Sequence, residues 1–303
     1  MAPLNVRILG GFALERDGRI LALPPTPKSR LLLVYLILNR DRLLHRETIC
    51  ATLWPEESEA VARKALRTAL WRIRSALGAG TGADEGGYIY ADAYQLGFRG
   101  TQPVWIDLWA FEDAFSATDI KADEALDLDD GMAMVAAAQL YRGDCGAGLY
   151  DDWLAVEQER LQNAYLTLIE RISGFHARRH SWLQAISWAE RALVLDPLRE
   201  HLHREVMACH LSMGDRASAL RQYARCETAL RNELGITPMA QTVALREALT
   251  EPCGGERRGL PEKIGARPSA KRIDSSIAEA LAIVRRANAR PDEPRPLVLV
   301  PLA

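Results

Sequence analysis

The chain has 303 residues, 48% hydrophobic and 26% charged, an ordinary globular composition with length for about two domains. Its longest apolar run, Leu31 to Leu38, falls far short of the roughly 20 residues of a membrane span, and its start lacks a basic segment followed by an apolar one. A soluble, cytoplasmic protein without a membrane partner is expected. The net charge of −2 would argue against a polyanionic partner if it were uniform, but residues 1–106 carry a net of +4 and residues 107–171 a net of −11. Cys50, Cys145, Cys209, Cys226 and Cys253 are odd in number, far apart and without a C-x-x-C pair, which favours buried free thiols over disulfides or a zinc site.

From Val6 to Leu23 apolar and polar residues alternate around Asp17-Gly18, predicting a strand, a tight turn and a second strand. After Pro24, Pro25 and Pro27 comes a helix, KSRLLLVYLILN, with Thr26 as N-cap and Asn39 near its end. A second helix, HRETICATLW, stops at Pro55, because proline cannot continue it and restricts Trp54. A third begins near Ser58, whose hydroxyl is placed to cap it.

That third helix contains ARKALRTALWRIRSALG, Ala62 to Gly78, with five basic side chains. Leu66, Ala69, Leu70, Ile73 and Leu77 follow the spacing of one buried stripe. At 100° per residue the opposite face then carries Lys64, Thr68, Trp71 and Ser75 at its centre, with Arg67 and Arg72 on its shoulders. Arg63 and Arg74 fall nearer the buried edge. Such a face fits the major groove of DNA, where Arg and Lys donate to guanine and phosphates and Thr or Trp meets apolar base edges. Taken alone, five cations on a helix are equally well a solvated surface. The segment C-terminal to the helix favours the groove: a Gly-rich loop, GAGTGADEGG, and then YIYA and YQLGF around Ala91-Asp92-Ala93, a predicted hairpin. The loop lacks the phosphate-cradling G-x-x-x-x-G-K-[ST] pattern and reads as a flexible connection.

Beyond Trp105-Ile106-Asp107 the strand pattern ends and helix formers take over. The acidic ALDLDDG reads as a solvated loop. QAISWAERAL at Gln184 and SALRQYARCE at Ser218 form a near-repeat, aligning Ala185 with Ala219, Ile186 with Leu220 and Phe175 with Cys209 at a period of 34. That period signals tetratricopeptide-like helix pairs, which bury their apolar faces by stacking and recognise peptide or protein surfaces. Asp196-Pro197 and Thr237-Pro238 fall where the second helix of each pair should stop. Past Glu251-Pro252 the Gly/Pro/basic composition predicts a linker, then an amphipathic helix over 275–289 and a terminal strand in RPLVLVPLA.

Nothing along the chain predicts chemistry. His176 and His180 stand at i, i+4, but H-A-R-R-H has neither a glutamate nor a third ligand in view. His201 and His203 point to different sides of a helix. Asp151-Asp152 and Glu157/Glu159 suit a helix start. Nucleophile elbows, H-x-E zinc motifs and dinucleotide fingerprints are absent, so no enzyme, cofactor or metal is expected.

LNVRILGGFAL, RLLLVYLILNRDRLLHRETICATLWPE, ARKALRTALWRIRSALG and the Y-x-L before IDLWAFE resemble the OmpR-type winged helix of the antibiotic regulatory protein (SARP) family of bacterial activators. YRGDCGAGLYDDWLAVEQERLQNAYLTLIERI and DPLREHLHREVMACHLSMGDRASALRQYARCETALRNELGITP resemble the bacterial transcriptional activator domain that follows it in that family. The resemblance covers residues 4–250. It implies a mainly α protein with a small β part: a winged helix-turn-helix over residues 1–106, a tetratricopeptide-like all-α domain over 107–250, and a tail over 251–303. It implies further that the third helix enters the major groove of double-stranded promoter DNA and that the hairpin wing touches the minor groove or backbone. Lys64, Arg67, Thr68 and Arg72 become the leading contacts, with Arg63, Trp71 and Arg74 on the same helix and Tyr90, Asp92 and Tyr94 near the wing tip. Arg74 is equally suited to a structural ion pair. Where the family's central motif has Ser or His before R-L-R, this chain has Trp71-Arg72-Ile73-Arg74, so base preference there does not carry over. A homodimer on direct repeats, contact with RNA polymerase and a place at the nucleoid are implied too. Leu53-Trp54-Pro55-Glu56 lies where OmpR-type proteins can touch polymerase, although a packed Trp and a helix-stopping Pro explain it as well. The alternative is a repeat-based adaptor whose winged helix binds protein; a repeat domain that binds a small-molecule or peptide inducer is a third reading.

Overall fold

The computed structural model describes residues 3–78, 87–99 and 102–250. The Gly-rich loop over 79–86, Cys253 and the expected linker, helix and strand of the tail lie outside the described residues. The chain forms two compact units, the first running to Leu168 and the second beginning at Ile169.

In the first unit, β1 (Leu4–Arg7), β2 (Ala13–Arg16), β3 (Arg19–Leu21) and β7 (Val104–Ile106) form a sheet in the order β3-β2-β1-β7. The expected strand, turn and strand over 6–23 is therefore three strands, because the run breaks at Ile8–Gly11. There the N–H groups of Ile8 and Leu9 leave the ladder to donate to the Asp107 carboxylate at 3.0 Å. Gly10 then turns with φ +79° so close to Arg142 that a Cβ would lie 2.4 Å from its carbonyl carbon. Only glycine fits both demands. Asp17 and Gly18, both with positive φ, form the tight β2–β3 turn as expected. β7 runs parallel to β1, with Val6 opposite Ile106.

Three helices that pack on one another come next in the chain. α1 (Pro27–Leu38) starts at Thr26, which exchanges capping hydrogen bonds with Ser29, and ends at Asn39. Buried Leu31, Leu32, Leu33, Val34, Leu36 and Ile37 make it apolar nearly all round, as a central helix must be. α2 (Arg46–Leu53) stops at Trp54, one residue before Pro55. α3 (Glu59–Ala76) has Ser58 at its N-cap, but the hydroxyl makes no capping bond, so the expected cap is positional only. In the first turn Glu59 pairs with Arg63 at 2.6 Å. A second sheet, in the order β4-β6-β5, joins β4 (Leu44–His45) to the expected hairpin of β5 (Tyr90–Ala91) and β6 (Gln95–Gly97).

α4 (Asp107–Asp119), a 3₁₀ turn (Asp123–Ala125), α5 (Leu128–Leu140) and the part of α6 (Asp152–Arg178) up to Leu168 complete this unit. The acidic stretch expected as a solvated loop instead begins α5. The Asp127 carboxylate accepts from the Asp130 N–H, Asp130 accepts from the Asp127 N–H, and Lys121 closes on Asp130 at 2.6 Å. Carboxylates suit a helix N-terminus because its first N–H groups lack intrahelical acceptors. Tyr141 joins the three helices, 5.8 Å from the Phe111 ring and stacked at 4.4 Å on Tyr165.

In the second unit the rest of α6 is followed by α7 (Trp182–Leu195), α8 (Glu200–Ser212), α9 (Arg216–Leu234) and α10 (Ala240–Thr250). The 34-residue period marks equivalent places: Ala185 and Ala219 are fully buried, and the paired Phe175 and Cys209 are buried too. α7 ends at Asp196, as expected. α9 ends at Gly235, a left-handed cap with φ 68°, before Thr237-Pro238 is reached. His180 has φ 60° beyond the end of α6, so it shares no helix face with His176. His203 is buried between the Pro197 carbonyl and Gln222, whereas His201 is exposed beside Glu170. Cys50, Cys145, Cys209 and Cys226 are buried free thiols, and burial pushes the last three up to about 12. Among the described residues no helix is long and apolar enough to cross a membrane, and no cluster of His, Cys, Asp and Glu could hold a metal ion.

Exchanging Asp107 for Asn would turn one acceptor oxygen into an amide donor facing backbone N–H groups. The first unit should lose about 1–3 kcal/mol of stability, read as a lower urea midpoint for its unfolding transition.

Candidate nucleic-acid interface

The site is built on α3, and its orientation follows from what α3 buries. Leu66, Ala69, Leu70, Ile73 and Leu77 are all at most 6% exposed, the stripe the periodicity predicts. The helix packs on α1 and α2, so the opposite face is presented to solvent. Lys64, Arg67, Thr68, Trp71 and Ser75 are exposed there. The C-terminal end is held by Arg16 on β2, whose guanidinium donates to the Leu77 carbonyl at 2.6 Å and to the Tyr88 hydroxyl at 3.0 Å.

The basic residues of this helix are not equivalent. Arg63 is exposed but lies 2.6 Å from Glu59 and 3.1 Å from Glu47, so its charge is largely matched. Arg72 is half-buried and donates to the Thr26 hydroxyl at the start of α1, 3.2 Å away. Arg74 is half-buried, and no carboxylate among the described residues makes an ion pair with it. Lys64 and Arg67 likewise keep unmatched charge among the described residues. The Thr68 hydroxyl donates back to the Lys64 carbonyl at 3.1 Å.

The hairpin tip is organised by Asp92. Its carboxylate accepts from the N–H groups of Tyr94 at 2.7 Å and Gln95 at 2.6 Å and from the Tyr90 hydroxyl at 3.0 Å. The Tyr94 N–H above all, then that of Gln95, holds its pKa below the usual carboxylate range. This capping is thus present above the ordinary Asp range and is lost only as pH falls through the lower folded value. Tyr94 stays 76% exposed and Tyr90 44%, leaving two aromatic rings at the tip.

Arg46, which local sequence reasoning did not single out, connects tip and helix. Its backbone N–H donates to the Tyr94 carbonyl at 2.8 Å and its Nε to the Asp92 carbonyl at 2.9 Å. Desolvation is the chief cause that pushes its pKa down, Asp92 opposes this, and the charges of Arg74 and Arg67 add to it. Arg46, Arg67 and Arg74 therefore form one cationic group between α2, α3 and the hairpin. No local pattern marks Arg46, because both its partners lie more than 40 residues away. In the Trp54 loop, Leu53 is buried and Trp54 half-buried, while Pro55 and Glu56 are exposed.

Exchange of Arg46 for Gln removes the side-chain tie to the hairpin tip. Amide hydrogen exchange should accelerate over residues 92–95 while α1 and α3 keep their protection.

Residues 106–250 match the bacterial transcriptional activator domain family, and residues 21–90 match the family described as transcriptional regulatory protein, C terminal. The regulatory protein AfsR of Streptomyces coelicolor is 29% identical over 250 residues, covering 82% of this chain and 24% of AfsR, so the chain spans about a quarter of that relative's length. The regulatory protein DnrI of Streptomyces peucetius is 24% identical over 266 residues, covering 86% of this chain and 96% of DnrI. A solved structure, Mycobacterium tuberculosis EmbR in complex with a low-affinity phosphopeptide, shares the fold at a TM-score of 0.65 and 21% identity over 95% of this chain and 71% of that one. With these two domains matched in this order, and with regulatory proteins as its relatives, the chain belongs to the SARP-type transcriptional regulators.

Proposed function

We propose that the chain is a sequence-specific DNA-binding activator of transcription that reads double-stranded promoter DNA with α3. The observation that carries this reading is the exposed α3 face, where Lys64 and Arg67 stand beside Thr68 and Trp71 without acidic partners among the described residues. An α-helix fits the major groove, and cations placed this way can donate to guanine edges and to phosphates. Arg46 and Arg74 extend the positive charge toward the hairpin, where Tyr90 and Tyr94 stand ready for the adjacent backbone or minor groove. Arg72 and Arg63 contribute from the flanks, with part of their hydrogen-bonding capacity spent inside the protein. Asp92 acts by shaping the wing turn.

In this proposal residues 1–106 are the DNA-binding part, and the helical part over 107–250 contacts RNA polymerase or a co-regulator. One winged helix covers only a short site, so two copies are assigned to direct repeats. The protein works in the cytoplasm, at the nucleoid, without catalysis or a cofactor. Support for the protein-contacting role comes from the stacked helix pairs of the second unit, an architecture suited to peptide and protein surfaces.

Selection of bound duplexes from a random library with the full 303-residue chain tests the reading. An enriched motif is expected, and Lys64→Ala with Arg67→Ala should weaken its binding by about a hundredfold, with a shallower dependence on salt where phosphate contacts are lost. The helical unit should keep its circular dichroism signal. No enrichment at moderate salt would overturn the reading and turn the search to protein partners.

A further inference from the structure

Resting on the DNA-reading function just proposed, the geometry of α3 points to Trp71 as the specificity-determining residue of the site: with Thr68 it reads the C5-methyl of a thymine in the major groove. The centre of the exposed face is occupied by Lys64, Thr68, Trp71 and Ser75. Thr68 has committed its hydroxyl proton to the Lys64 carbonyl at 3.1 Å, so what it offers a partner is its methyl group and an acceptor oxygen. Trp71 follows one turn later and is 62% exposed. Its indole presents two broad apolar faces and a single N–H donor. Thr68 and Trp71 therefore place an apolar patch on a face that carries Lys64 and Ser75 along the helix and Arg67 and Arg72 on its shoulders.

The base edges that line the major groove are nearly all hydrogen-bonding groups; the thymine methyl is their apolar feature. This patch meets a guanine edge with the one indole N–H and a cytosine amino group with the one Thr68 oxygen, whereas it covers a thymine methyl with apolar surface, and leaving polar base groups under-bonded costs more than a methyl contact gains. Lys64, one turn before Thr68, and Arg67, on one shoulder, supply donors for guanine and phosphate. The chemistry thus assigns an A·T pair with its thymine facing Trp71, flanked by positions read through the cations.

The test uses the full chain and the duplex enriched by selection from the random library. Each thymine is replaced in turn by deoxyuridine, which lacks only the methyl, and affinity is measured at one fixed salt concentration. At one central position the wild-type chain should lose affinity by about fourfold, the value expected for one buried methyl-sized group. Trp71→Ala should lose most of the difference between the thymine and deoxyuridine duplexes, while Trp71→Phe, which keeps an aromatic face, should retain more of it. Thermal unfolding of both variants should match wild type, because the side chain lies outside the core.

Equal affinity of the wild type for every deoxyuridine duplex would overturn the inference alone, leaving DNA reading intact. The same discrimination in Trp71→Ala would overturn it too, since another residue would then read the methyl. A loss confined to 7-deazaguanine substitution would transfer the indole's role to its N–H donor and overturn it likewise. A selection without any sequence preference would overturn the proposed DNA-reading function, and this inference with it.

Discussion

A buried carboxylate organises the first unit. Asp107 is 3% exposed, and desolvation pushes its pKa up, yet it accepts backbone N–H bonds from Ile8, Leu9 and Leu108. Those bonds are the compensation a charged group requires when it leaves water. They also end β1, set the chain on its turn at Gly10 and start α4. Because β1 pairs with both β2 and β7, the place of every strand in the larger sheet depends on this contact. β2 carries Arg16, whose guanidinium holds the last turn of α3, so the carboxylate is coupled through two strands to the helix that presents the basic face.

Formal charge is a poor guide to that face, and the positions of the partners explain why. Of the five basic residues that crowd α3, Arg63 is matched by Glu47 and Glu59 and Arg72 is engaged at the start of α1. Arg46, from a different helix, adds a charge that α3 alone does not carry. Like charges gathered in this way repel one another, and here the Asp92 carbonyl and carboxylate oppose that repulsion from the hairpin. Surface ion pairs of the Arg63 kind contribute little to stability. Their effect is to sort which cations remain available.

The second unit relies on small residues and satisfied polar contacts. Ala185, Ala189 and Ala219 permit close helix approach, and Val206, Met207 and Leu211 fill the space between helices. Polar groups are buried beside them with partners: the Ser173 hydroxyl is 2.9 Å from the Ala185 carbonyl, Arg204 reaches the Thr242 hydroxyl at 3.1 Å, and Glu200 accepts from the Met239 N–H at 2.7 Å. The last two tie α8 to the segment around α10. Buried polar pairs of this kind add less to stability than to the uniqueness of one packing.

The first three helices, the buried stripe of α3, the Asp17-Gly18 turn and the hairpin are legible in the sequence because each rests on residues within a turn or two of one another, and the 34-residue repeat is legible because equivalent helices repeat their local pattern. Caps were legible only as positions. Thr26 caps as expected, Ser58 occupies its place without the bond, and Gly235 ends α9 before the proline expected to mark the stop. The acidic stretch that begins α5 reads as a loop in the sequence because its charge is visible there and the reciprocal capping by Asp127 and Asp130 is not. Tertiary structure alone decided the rest. Arg46 joins the basic group through atoms 46 and 48 residues away, and Ile8 meets Asp107 across 99 residues. Periodicity and propensity describe neighbours along the chain, whereas hydrogen bonds between distant segments form only once packing has brought their atoms together.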